Sequence, residues 1–420
     1  MKQKVFGILM AIVMLVVPCG LFASGASEGS KGSEQIVLDF PTWQAEEGGF
    51  ALFWKDMVAQ FEETHPNVKI NLTQIPFSQF TDTLITRYSA NDAPDITHIA
   101  SRFFDQFASQ GWFEDLDPYL AKDNTLDDWT ALQSAMLHDG KNEGLLILGY
   151  GFVMYYNEEI LNRAGVAVPT TVDELKEAIV KIEALNDPDI YPYGVTTQQH
   201  SNAFQDFSIF LVGEGTSIEK DGKCNLTSEA VVKAASDYNY VASKSPKGVS
   251  TEMLRQLFID GKVAMIIDGP FVAPLISSAD EDIRPNLKIA RAPFEYVPGT
   301  ISNSLHISNS LSEERKQLVW EFIEQCASLE NQVKYSEYTE SPCGRLSASS
   351  MISDPGMAFV NNIGAEAVSI MPQSSNLTKN YSKYTNIVIT YVLKLQEAGA
   401  DVKKVLADME SELMRNNLEP

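Results

Sequence analysis

Five histidines, His65, His98, His138, His200 and His306, are the first residues to test for acid–base or metal chemistry. No two stand at the spacing of an HExxH helix, so no zinc-type pair is encoded. The chain has no Cys-x-x-Cys, no P-loop and no Gly-x-Gly-x-x-Gly fingerprint, and its one Gly-x-Ser-x-Gly match, Gly25-Ala26-Ser27-Glu28-Gly29, falls in a Gly/Ser-rich stretch with no strand pattern before it to make a nucleophile elbow. Gly213-Glu214-Gly215 reads as a loop. With 56 acidic residues, a pair of carboxylates close in sequence says little about catalysis. Taken singly, each histidine reads as a surface residue or a satisfied core residue. No cofactor, metal or catalytic set is expected, and the weight moves from an enzyme to a binding protein.

The N-terminus supports that shift. Lys2 and Lys4 precede an apolar run from Val5 to Val17, and small residues follow from Ala23 to Ala26. That is the pattern of a secretory signal peptide, assigned to residues 1–26. A bilayer-spanning helix needs about 20 apolar residues, more than this run offers. Cys19 stands where a bacterial lipoprotein would be acylated. Pro18 occupies the place of the small residue that such processing wants, so cleavage after Ala23, Gly25 or Ala26 is favoured and lipid anchoring stays open. Residues 27–35 read as a Gly/Ser-rich tether. The formal charge of −24 becomes −26 without Lys2 and Lys4, which disfavours nucleic acid and anionic membranes as partners. Cys224, Cys326 and Cys343 are far apart and odd in number. They read as buried free thiols, and their pairing stays open.

The elements that follow alternate. Ile36–Phe40 reads as a short buried strand ended by Pro41. Phe50, Phe53, Trp54, Met57 and Phe61 recur on one helical face, which His65-Pro66-Asn67 stops. Val68, Ile70 and Leu72 alternate as a strand. Residues 80–90 read as a helix and 96–99 as a strand. Further on, 153–156 reads as a strand and 158–164 as a helix closed by Gly165. A capping box at Thr171–Glu174 opens a helix with Leu175, Ala178, Ile179 and Ile182 inward. Residues 263–267 read as a buried strand. Val319, Phe322, Ile323 and Cys326 mark another helical face, and a final helix carries Val402, Val405, Leu406, Met409 and Leu413. This βαβ rhythm predicts an α/β fold with parallel-rich sheets flanked by helices. The length suits two or more domains.

Several stretches, in order, resemble the bacterial extracellular solute-binding proteins of the sugar-binding, maltose-binding-like family. They are Phe61-Glu62-Glu63-Thr64-His65-Pro66-Asn67-Val68, Ala93-Pro94-Asp95-Ile96, and Gly111-Trp112-Phe113-Glu114-Asp115-Leu116-Asp117-Pro118-Tyr119. The strongest are Tyr155-Tyr156-Asn157-Glu158-Glu159-Ile160-Leu161 with Pro169-Thr170-Thr171-Val172-Asp173-Glu174-Leu175, and Phe258-Ile259-Asp260-Gly261-Lys262-Val263-Ala264-Met265 with Asp268-Gly269-Pro270-Phe271. The resemblance spans about residues 36–345. It implies a two-lobe periplasmic-binding fold, type II-like, with a ligand cleft at the hinge. The N-lobe would hold 36–148 and 268–310, and the C-lobe 149–267 and 311–420. It implies a non-enzymatic, monomeric receptor outside the cytoplasm, in the periplasm or its equivalent. That receptor would capture a carbohydrate by hinge closure and deliver it to inner-membrane ABC permease subunits. The alternatives are a same-fold receptor for a polyamine, a phosphorylated polyol or an opine, and, far less favoured, a secreted glycan hydrolase.

A sugar site combines aromatic platforms with planar polar side chains. By motif position the resemblance nominates Trp43 and Gln44 after the first strand, and Ser101 and Arg102 after the Asp95 strand. It adds Tyr150 at the first crossing, Gln198, His200 and Asn202 in a polar loop, Gly269 and Phe271, and later Ser302, Asn303 and Arg345. Phe271 stands where the family usually has tryptophan, which loses an indole N–H. Trp54 and Trp320 lie on apolar helical faces and read as core, and Trp112 and Trp129 as packing.

Overall fold

A computed structural model describes residues 35–122 and 124–420, and Ile36–Pro420 forms one compact unit. The expected signal peptide, Cys19 and the tether through Glu34 lie outside the described residues. No helix among the described residues is long and apolar enough to cross a membrane.

The chain opens as its periodicity demands. Strand Ile36–Thr42 pairs in parallel with Val68–Gln74, from Ile36 opposite Val68 to Thr42 opposite Gln74. Pro41, expected to end this strand, stays inside it. The strand is laddered on one side only, so the missing N–H of Pro41 removes no bond from a second partner. Helix Gly48–Thr64 joins the two strands and buries Phe53, Trp54, Met57 and Phe61. Strand Ile96–Ala100 follows helix Phe77–Ser89. In the middle of the chain, Asn157 caps helix Glu158–Ala164, and Gly165 ends it at φ 64°. That left-handed backbone is the one a glycine tolerates best. At the next helix Thr171 Oγ1 accepts the Glu174 N–H, as expected. The Glu174 carboxylate returns not to Thr171 but to the Thr170 N–H and hydroxyl, both at 2.7 Å.

Two larger sheets organise the molecule. In the first, the long strand Val297–Ile307 pairs antiparallel with Ile96–Ala100 and Leu145–Gly151, and parallel with Ala367–Ser369. In the second, Val153–Asn157 lies between Met265–Asp268 and Leu287–Arg291, antiparallel to both. The pairs joined by helical crossovers are parallel. The antiparallel pairs involve strands that arrive from the other sheet, where no crossover helix dictates direction.

These pairings draw the lobes differently from the expected boundaries. Leu287–Arg291, expected in the N-lobe, hydrogen-bonds to Val153–Asn157 of the expected C-lobe. Helices Glu313–Ala327 and Leu329–Thr339, expected in the C-lobe, pack on Gly48–Thr64. Gln325 Nε2 donates to the Met57 carbonyl at 2.9 Å, and Tyr335 meets Phe53 edge-on at 4.9 Å. The chain passes between the sheets at Gly151–Val153 and between Arg291 and Val297, and a third time leaves the first sheet after Ser369 for the helices of the second lobe. At the crossing the Phe152 N–H donates to the Pro298 carbonyl, and the Ile370 N–H to the Gly299 carbonyl, each at 2.8 Å. The third passage carries no motif, so the sequence pattern alone did not mark it.

The last helices, Tyr381–Leu395 and Val402–Arg415, return to the second lobe. There Tyr384 meets Phe204 at 5.8 Å, and Gln396 Nε2 donates to the Tyr238 hydroxyl at 2.8 Å. Cys224, Cys326 and Cys343 are free thiols.

Candidate functional site

The crossing strands border an open cavity of about 700 Å³, the size of a small-molecule site. Thr300, Ile301 and Ser302 line it consecutively. A regular strand would turn alternate residues away. Here the pairing with Leu145–Gly151 slips between Ile301 and Ser304, and such a bulge re-aims side chains. Tyr150 comes from the first crossing and Ile370 and Met371 from the third. His200, Asn202 and Phe204 come from the start of helix Ser201–Gly213, Glu252 and Arg255 from helix Thr251–Ile259, and Tyr381 and Thr385 from the C-terminal region. Two neighbouring cavities of about 350 and 340 Å³ share Phe204, Ile301 or Met371 with it.

Of the residues nominated from sequence, the structure brings Arg102, Tyr150, His200, Asn202, Phe271 and Ser302 onto this one surface. Ser101 lines the adjoining 340 Å³ cavity, and its hydroxyl donates to Ser304 Oγ at 3.0 Å. Gly269 stands behind the wall: a Cβ there would lie 2.6 Å from the Tyr150 ring. Gln198 turns outward and donates to the Gly248 carbonyl at 2.6 Å, while Gln199 lines the cavity.

The other four are placed elsewhere. Trp43 lies flat on the His98 ring, with 4.2 Å between centroids and 6° between planes. Its edge meets Phe77, which lies under Arg102, so it reaches the cavity only at second hand. Gln44 is buried and accepts the Trp54 indole N–H at 3.0 Å. Asn303 is wholly buried, on the strand position facing Ala100. Arg345 donates to the Ala327 carbonyl at 2.9 Å and pairs with Asp128 at 3.4 Å. Gln44 and Arg345 each satisfy a neighbour, Trp43 stacks on one, and Asn303 is enclosed on its strand. A motif position reports that a residue is near the cleft, not which way it points.

Sequence reasoning passed over Arg255, Glu252, Tyr381, Thr385 and Met371. The periodicity of helix Tyr381–Leu395 points the wrong way: Tyr381 falls on the same stripe as the buried Tyr384, Val388 and Val392 and so reads as core. For Arg255 there was no signal, because its partner lies 13 residues away across a turn.

The chemistry of the walls is aromatic and polar. Tyr150 and Phe271 meet edge-on at 5.4 Å and 89°. Arg255 grips Asp268 through Nε at 2.8 Å and Nη2 at 2.9 Å, with its guanidinium 5.6 Å from the Phe271 ring centre. Asp268 also accepts the Gly269 N–H at 2.7 Å. Arg102 sits over Phe103 at 4.9 Å and Phe77 at 5.4 Å. Burial draws its pKa below the ordinary value, opposed by the hydroxyls of Tyr381 and Tyr150. A ring face returns about 0.5–2 kcal/mol to a cation, whereas removing a charge from water costs several kcal/mol. The aromatic rings therefore position Arg102 without replacing its lost hydration. Behind the wall, burial raises the Asp206 carboxyl to about 7, although it accepts the Thr196 N–H at 2.7 Å. Among the described residues no cluster of His, Cys, Asp and Glu could hold a metal ion.

Two α/β lobes joined by crossing strands, with a polar and aromatic cleft at the crossing, define a protein built to enclose a small solute. Comparison with known proteins makes the class specific. The chain matches the Bacterial extracellular solute-binding protein family over residues 45–333 and belongs to that family. Its work therefore lies outside the cytoplasm. It is 25% identical over 411 residues to the galactooligosaccharide-binding protein of Bacillus subtilis (strain 168), covering 92% of this chain and 89% of that one. It is 27% identical over 285 residues to a binding protein of Brucella abortus (strain 2308), covering 64% of this chain and 68% of the other. Among solved structures, the sugar-binding protein MalE of Xanthomonas citri superposes with a TM-score of 0.78. The identity is 18%, over 91% of this chain and 98% of that one, a likeness of fold.

Proposed function

We propose that the chain is the receptor of an ATP-driven importer, that its solute is a carbohydrate, and that it hands the sugar unchanged to a membrane permease. The observation that carries this reading is the composition of the 700 Å³ cleft. Aromatic faces from Phe103, Tyr150, Phe271 and Tyr381 stand among planar or hydroxyl-bearing side chains from Asn202, Gln205, Ser302 and Thr385. Sugar rings offer apolar faces to the former and hydroxyls to the latter. The galactooligosaccharide-binding and sugar-binding relatives support the same solute class. Arg102, Tyr150, His200, Asn202, Phe271 and Ser302 are the proposed contacts. Closure of the lobes about the crossing strands is the proposed motion, driven by contacts that the ligand makes only in the closed form. The receptor acts as a monomer, periplasmic or tethered through Cys19.

A thermal-shift and calorimetric screen of mono- and oligosaccharides tests the reading. A true ligand at 100 times its dissociation constant stabilises the fold by ~2.7 kcal/mol. No tryptophan lines the cavity among the described residues, so calorimetry is a better readout than indole fluorescence. A screen in which no sugar binds or stabilises the protein would sink the proposal.

A further inference from the structure

The carbohydrate reading of the cleft is the premise here: we infer that the sugar it takes carries an anionic substituent, a carboxylate or a sulfate ester, which docks on Arg102.

The argument begins with a comparison across the chain. The sequence has nine arginines in a body of net charge −24. Arg87, Arg163, Arg255, Arg291, Arg315, Arg345 and Arg415 each hold a carboxylate. Arg284 holds the Ala279 carbonyl. Arg102 alone has neither a hydrogen bond nor an ion pair among the described residues. A protein with such a surplus of carboxylates has left one guanidinium unanswered, and that one faces the cleft.

The other charges on the cavity wall are accounted for. Arg255 is occupied by the bidentate Asp268. Glu252 is exposed in the first turn of its helix. There its own N–H and Ser250 hold the carboxylate below its ordinary range, helped by the nearby charges of His200 and Arg255. It lies beyond ion-pair distance of Arg102.

Arg102 is also held in place. Phe103 and Phe77 pack against its guanidinium carbon at 4.9 and 5.4 Å. The two rings hem in the guanidinium, and its N–H groups have no partner among the described residues, which suits a two-oxygen anion taken up side-on. Tyr150 and Tyr381 stand close by as hydroxyl donors. The first turn of helix Ser201–Gly213 borders the same space and adds a partial positive charge. A neutral sugar hydroxyl would accept from Arg102 as well, but it would leave the half-buried cation uncompensated.

Calorimetry on the mature chain separates the possibilities, with trigalacturonate, neutral galactotriose and a sulfated galactotriose as probes at low and high salt. The expected result is binding of at least one acidic probe about tenfold or more tighter than the neutral one. That preference should shrink as salt screens it. The carboxylate and sulfate arms tell which anion is favoured. R102Q should remove the preference, lowering affinity for the acidic probe about tenfold more than for galactotriose, and R102K, which keeps the charge and loses the fork, should fall between. Equal or tighter binding of the neutral probe, with no salt dependence, overturns the inference and leaves the carbohydrate reading intact. No binding by any of the three, nor by the wider sugar screen, overturns both. The comparison of probes on the unmodified chain needs no variant, so it stands even where R102Q does not fold.

Discussion

At the scale of single residues, the Arg255–Asp268 pair has the most to lose. Asp268 is buried and answers Arg255 through both oxygens. Asp268→Ala leaves the guanidinium beside Phe271 with no partner. Breaking a buried pair costs ~3–5 kcal/mol, and the open cavity lets water recover part of that, so a loss near the lower figure is expected in urea unfolding. Asp206 makes a prediction of the opposite kind. Its pKa is raised by burial to about 7, with Asp268 pushing the same way and the Thr196 N–H and Arg255 opposing. A carboxyl raised in the folded state favours folding fully below its unfolded value, ~3.9. It loses that contribution as pH climbs through about 7. The protein should therefore melt higher at pH 5 than at pH 8. Asp206→Asn, whose Oδ1 still accepts the Thr196 N–H, should flatten the difference. Glu143 is raised to about 7 by burial as well, so Glu143→Gln should remove a further part. Melting curves across pH for the two variants and their double test this directly. How legible the site was also divides at this scale. Arg102 and Phe271 were found because motifs locate a loop. Gln44, in a turn, and Asn303, in a strand, were misplaced because only the fold decides whether such a residue points to the cleft or into the interior.

At the scale of elements, the first helices and strands were readable because one face of each is buried and the period shows it. The crossing strands were harder. Val297–Ile307 holds Gly299, Thr300, Ser302, Asn303 and Ser304, too polar and irregular to look like a central strand, yet it pairs with three others. Its bulge is what turns three consecutive residues into the cleft. Ala367–Ser369 is only three residues long, and nothing in it announces a third passage between the lobes. The turn after Met265–Asp268 offers a direct test of how an element builds the site. Gly269 leaves no room for a side chain, because its Cβ would meet the Tyr150 ring at 2.6 Å, and its carbonyl already accepts the Tyr155 hydroxyl at 2.9 Å. Its φ of −74° is open to any residue, so Gly269→Ala is a test of space and not of backbone strain. The variant should displace Tyr150 into the cleft and weaken sugar binding by about tenfold. Stability should fall by about 1–3 kcal/mol from overpacking. A crystal structure with Tyr150 unmoved and unchanged affinity would contradict this account.

At the scale of the whole molecule, the question is how two lobes communicate with one cleft. Tyr150, Thr300 and Ile370 are at once cavity wall and close neighbours of the crossing. Few backbone torsions separate the lobes, so a rotation there needs little unpacking elsewhere. Contacts come from both sides: Ser302 lies on a strand of the first sheet and Arg102 in the helical turn after another, while Arg255 and Tyr381 stand on helices of the second lobe and His200 caps a third. A sugar that touches both sets binds the closed form better, and it shifts the population only by that difference in affinity. Small-angle scattering of the mature chain should therefore show a smaller radius of gyration with saturating sugar than without. Phe271→Ala at saturation should still close, because removing one platform weakens binding without removing the two-sided grip. A ligand that binds tightly by calorimetry yet leaves the scattering profile unchanged would mean that the solute sits on one lobe alone. Hinge closure would then have to be given up as the means of presentation to a permease.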